Sequence, residues 1–160
     1  MKLADEKKQI MSKLKSEEVN NLLERYSISS MLTFGSLTTD DFTQESDIDI
    51  AVIGIENIPL DKILDLELFL ERTLGKEIDV IDLRSRELPI FLKINVLNEG
   101  KIIYSNDNSI ILEKYKEEVD IIYRENEIFF WFRRRDVLSL NPRKTYKDSE
   151  RFSKSGISDI

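Results

Sequence analysis

Phe34-Gly35-Ser36, ten intervening residues, then Asp47-Ile48-Asp49-Ile50-Ala51-Val52: the reading of this stretch sets both the fold and the chemistry. The run from Asp47 to Ile53 is rich in β-branched residues and reads as a strand. Alternate strand residues share a face, so Asp47 and Asp49 point the same way, about 7 Å apart along it. Ile48, Ile50 and Val52 then point into a core. Aspartate is disfavoured inside a strand, and two carboxylates on one face repel unless a cation sits between them. Gly35 permits a positive φ and close backbone approach, and Ser36 adds a hydroxyl. A helix starting just after Gly35-Ser36 would offer its free N–H groups to a phosphate. Taken singly, an Asp-x-Asp is a solvated pair and a Gly-Ser is a turn. Together, a phosphate cradle beside a metal-binding Asp pair is the equipment of phosphoryl or nucleotidyl transfer.

Outward from this stretch, Ser29 to Phe34 forms a short strand stopped by Gly35, followed by a polar loop from Leu37 to Ser46. Upstream, residues 3–25 read as one helix, with Leu3, Ile10, Leu14 and Leu22 among its apolar positions. Downstream come a helix from Pro59 to Leu74 closed by Gly75 and a strand from Glu77 to Leu83. A helix from Leu88 to Leu97 and a strand from Lys101 to Tyr104 complete this part. The order predicts an α/β (α+β) fold, a small mixed β-sheet flanked by helices. Residues 1–105 form this domain, and residues 106–160 are assigned to a C-terminal helix and a basic, mobile tail. The helix is expected to run from Asn108 to about Leu140, with Ile111, Tyr115, Val119 and Ile122 on one face. Ile128-Phe129-Phe130-Trp131-Phe132 surrounds a helix with apolar groups, which suggests a partner or homodimer contact.

Composition narrows the chemistry. The chain has 160 residues, 41% of them apolar, enough for a single cored domain. Its net charge of −7 makes nucleic acid an unlikely ligand. Cys and His are both absent, which excludes disulfides, thiol catalysis, Ser-His-Asp triads and imidazole metal sites. An active site here must run on carboxylates, lysines and hydroxyls, with hard oxygen ligands suited to Mg²⁺ or Mn²⁺. The charged N-terminal stretch has no signal-peptide core, and no apolar run is long enough to span a membrane; a cytoplasmic protein is expected.

Gly-Ser, ten residues, then Asp-x-Asp resembles the signature of the DNA polymerase β-like nucleotidyltransferases. The likeness is greatest to the minimal (MNT-type) members that act as antitoxins to HEPN-domain toxins. Gly35, Ser36, Asp47 and Asp49 match the motif, and Glu77-Ile78-Asp79-Val80-Ile81-Asp82-Leu83 resembles the later strand that carries the third carboxylate. Asp79 is the better match there, because the family places this acid directly after the apolar start of the strand; Asp82, on the opposite side by strand alternation, is the weaker candidate. The resemblance covers roughly residues 20–105. One departure is the loop after Gly-Ser, which opens Leu37-Thr38-Thr39-Asp40-Asp41 where many relatives carry arginine. The resemblance implies that Asp47, Asp49 and Asp79 are catalytic and hold Mg²⁺, and that Gly35 and Ser36 hold the phosphates of ATP. It further implies AMP transfer to a tyrosine hydroxyl of a cognate HEPN toxin. The alternatives are a small-molecule nucleotidyltransferase of the antibiotic-modifying kind and a non-catalytic antitoxin that neutralises by binding.

Overall fold

The computed structural model describes residues 3–39 and 42–129. Its elements are α1 (Leu3–Leu14), α2 (Glu17–Arg25), β1 (Ser30–Phe34), β2 (Ile48–Ile53), α3 (Leu60–Leu74), β3 (Ile78–Asp82), α4 (Ile90–Glu99), β4 (Lys101–Ser105) and α5 (Ile110–Glu125). A single 3₁₀ turn, Gly35–Thr38, follows β1. The strands form one mixed sheet in the order β3-β2-β1-β4. β1 pairs antiparallel with β2 and β4, whereas β2 and β3 run parallel and are joined through the crossover helix α3.

Strand alternation divides the core in two. On one face Met31, Ile48, Ile50, Val52, Ile78 and Val80 pack against α1, α2 and α3, which contribute Ile10, Leu14, Val19, Leu23, Leu66 and Leu70. On the other, Leu32, Ala51, Ile53 and Leu83 meet Val96 and Leu97 of α4 and Leu112, Tyr115 and Val119 of α5. The result is a three-layer sandwich in which both faces of the sheet are covered. The mixed sheet flanked by helices is therefore as the sequence predicts.

Three local expectations are corrected. Residues 3–25 form two helices, because the Ser16 hydroxyl accepts the Val19 N–H and caps a second helix there. The C-terminal helix α5 is interrupted at Asn126, helical structure resumes over 127–129, and the rest of its expected course to about Leu140 lies outside the described residues. The buried face of α5 is Leu112, Tyr115 and Val119. Ile122 is exposed, and Ile111 only packs at the margin of the core. Within the aromatic run, Ile128 and Phe129 are exposed; Phe130 onward, with the basic tail, lies outside the described residues.

β3 is an edge strand, and its outward N–H groups are not left open. Glu71 Oε2 accepts the Ile78 N–H at 3.3 Å and Glu67 Oε2 accepts that of Val80 at 3.0 Å. The helix that crosses the sheet thus also closes its edge.

Candidate active site

The carboxylates lie at one end of the parallel pair. Asp49 and Asp79 are partners in the β2–β3 register, and Asp49 is also opposite Phe34 of β1. Registered partners project to one face, here the face of α4 and α5. Asp47 immediately precedes β2, so the strand is one residue shorter at its start than expected. Its exposed side chain and that of Asp79 act on a half-buried Asp49, while the exposed Glu77 interacts with Asp47 and Asp79.

Burial pushes the Asp49 carboxyl up to about 6, and the negative charges of Asp79 and Asp47 add to the effect. Glu77 is held above the usual carboxylate range by Asp47, through repulsion and a shared hydrogen bond. Glu77 thus joins the acidic group, which the sequence reading missed. The signal was available, since Glu77 and Asp79 are two residues apart on one strand face. Asp82 is on the other face, buried, and accepts the Ile58 N–H at 2.9 Å and the Arg84 N–H at 3.0 Å. Its carboxylate is spent on the backbone.

Gly35 brings the loop against this group. Its φ of +74° is a left-handed conformation, and a Cβ added there would overlap Asp49 Oδ2. The segment after it is a single 3₁₀ turn of four residues, not the α-helix on which a helical phosphate cradle depends. Thr38 Oγ1 donates to the Gly35 carbonyl at 2.8 Å and ties the turn together.

Among the described residues, no group of three or more acidic side chains is already drawn together as a metal-binding set. The donor chemistry nonetheless fits a hard divalent cation: all the candidate ligands are carboxylates, and the charge of Asp49 is disfavoured by its surroundings until something positive compensates it.

A strand-borne carboxylate group beneath a glycine turn, on this sheet, is the arrangement of a nucleotidyltransferase, and the chain matches the family described as "Polymerase beta, Nucleotidyltransferase" over residues 17–109. It belongs to that family. Among curated proteins it is similar to several from Methanocaldococcus jannaschii. "Putative protein adenylyltransferase MJ0126" is 37% identical over 93 residues, 58% of this chain and 91% of the relative. "Putative protein adenylyltransferase MJ0604" is 34% identical over 94 residues, 55% of this chain and 92% of the relative.

Solved structures share the fold. A toxin–antitoxin crystal structure with AMP-PNP superposes with a TM-score of 0.63 at 23% identity, covering 76% of this chain and 96% of that one. A Shewanella oneidensis complex, described as a tri-AMPylated HEPN toxin with its MNT antitoxin, gives 0.59 at 22% identity, with 78% and 97% covered. Among the described residues, no helix is long and apolar enough to cross a membrane.

Proposed function

We propose that this nucleotidyltransferase transfers AMP from ATP to a tyrosine hydroxyl of a cognate HEPN-type toxin and so acts as its antitoxin. The observation that carries the reading is Asp49, half-buried beneath Gly35 and charged only against the repulsion of Asp47 and Asp79. Two lines support the choice of protein as acceptor and toxin as partner: the names of the M. jannaschii relatives and the complexes formed by the structural neighbours. Residues 1–105 would be the catalytic unit, and residues 106–160 would add α5 and the basic segment that follows.

Asp47, Asp49 and Asp79 would hold Mg²⁺, which when bound neutralises the phosphate charge and polarises the phosphorus–oxygen bonds. Gly35 lets the Asp49 carboxylate lie against the backbone of the turn, and the N–H groups and Ser36 hydroxyl of that turn would donate to phosphate oxygens. Asp79 orients the acceptor hydroxyl and takes its proton as that oxygen attacks the α-phosphorus. A new phosphorus–oxygen ester bond forms, the bond between the α-phosphorus and its bridging oxygen breaks, and pyrophosphate leaves.

The test is incubation of the protein and Mg²⁺ with host lysate and α-labelled ATP, beside an Asp47→Asn/Asp49→Asn variant. Label on one protein band with the wild type alone is the expected result, and the band's mass identifies the partner. Label confined to a small molecule would favour the antibiotic-modifying reading. No label with any nucleotide, from folded protein, would leave neutralisation by binding.

A further inference from the structure

A second feature lies across the sheet from the carboxylates. A cleft of about 540 Å³ opens between α1, the 3₁₀ turn and the first residue of β4. Its cations are Lys7 and Lys8 from α1, Lys15 just after it and Lys101 from β4, and among the described residues no acidic one lines it. In a chain with 31 acidic and 24 basic residues, four lysines with no carboxylate among the described lining residues is a departure from the average surface. Lys7 is already engaged, donating to the Thr39 carbonyl at 2.6 Å and lying over the Phe42 ring. Lys8, Lys15 and Lys101 form no ion pair among the described residues.

Exposed lysines alone would be a solvated helix face. What distinguishes this cleft is Thr33, which lines it, is 0% exposed, and has a buried Oγ1 with no hydrogen-bond partner among the described residues. A buried hydroxyl left unpaired is costly, and the neighbouring positions on that strand face, Met31 and Ile50, are apolar. Valine would fill the same space without that cost. The cleft wall thus carries an unused donor in addition to its lysines, a combination that suits an anion.

We propose that the cleft is a binding site for a linear di- or triphosphate, distinct from the carboxylate site. Lys8 and Lys15 are seven residues apart, about 10 Å along the helix, which suits a chain of phosphates better than one. Thr33 and Lys101 share the sheet face of Ile50 and Val80, opposite that of Asp49 and Asp79. The two sites nevertheless meet at one turn: Thr38 lines the cleft and bonds to the carbonyl of Gly35, which abuts Asp49. A phosphate chain in the cleft therefore touches the segment that carries Gly35 and Ser36.

Titration of tripolyphosphate into the full chain, in EDTA, tests this by calorimetry. Saturable binding with Kd below about 1 mM is expected, weakened at least about tenfold by Lys8→Ala/Lys15→Ala. Lys13→Ala, on the same helix outside the cleft, and Asp47→Asn/Asp49→Asn should leave it intact. The latter variant separates this site from the proposed transfer chemistry, which it abolishes. Thr33→Val should raise the free protein's Tm by about 2–4 °C and weaken binding, a combination that a merely structural threonine would not give. ATP binding as tightly as tripolyphosphate would mark a site for the phosphate chain alone, and tighter ATP binding would name a nucleotide as its source. Absence of saturation, equal affinity for inorganic phosphate, unaltered binding by Thr33→Val, or an equal loss with Lys13→Ala would each overturn the proposal.

Discussion

At the scale of single residues, Asp49 sets function against stability. Its carboxyl titrates near 6 in the folded chain, above its ordinary value of 3.8. The folded protein therefore binds more protons than the unfolded one between those values, and metal-free stability falls as pH rises from about 4 to 6. Because Asp49 is only about half-buried, solvent screens the effect to about 1–2 kcal/mol. Asp49→Asn should accordingly raise metal-free stability by about that amount at pH 7.5 while abolishing transfer, and the two proteins should converge near pH 4. Urea denaturation at the two pH values checks it. The family motif pointed to Asp79, and alternation set Asp82 aside, since period two is a property of the strand and can be read from residue numbers. The same count could have added Glu77. It could not show that Asp49 is raised, because that depends on how Gly35 and β3 close around it.

At the scale of elements, strands and helices were legible wherever pattern and punctuation agreed. α3 ends on Gly75, in the left-handed conformation with φ of +68°, as its position after Leu74 implies. Errors fell where a short polar residue interrupts a helical pattern: Ser16 divides the first helix and Asn126 breaks the run of α5. Periodicity over a long window averages across such caps. The closed edge of β3 was not legible, because Glu67 and Glu71 look like the solvated side of α3. Replacing both by alanine would leave the N–H groups of Ile78 and Val80 without their acceptors. A loss of about 1–3 kcal/mol is expected, with faster hydrogen exchange confined to β3, which mass spectrometry after deuteration would read.

For the whole molecule, the sheet acts as a partition, with the acidic group on one side and the lysine cleft on the other. Such a cleft is assembled from residues 7–15, 33–39 and 101, which no local window of sequence brings together. α1 lies ahead of the segment that matches the family, yet Ile10 and Leu14 are buried in the larger core cluster. Removing residues 1–15 would expose their partners on α2, α3 and the sheet. At about 1.5–3 kcal/mol for each buried side chain, the urea midpoint should fall by about 1–2 M with the fold retained or lost outright.

The fit between Gly35 and Asp49 has a consequence for how such chains change over generations. The space a side chain would occupy at position 35 is already filled by an oxygen of Asp49. Position 35 cannot drift alone: a larger residue there is admitted only after the acid at 49 has shrunk or gone. Descendants that abandon the chemistry are therefore expected to lose the acid first and the glycine second, so a relative that has kept its aspartate should have kept its glycine too.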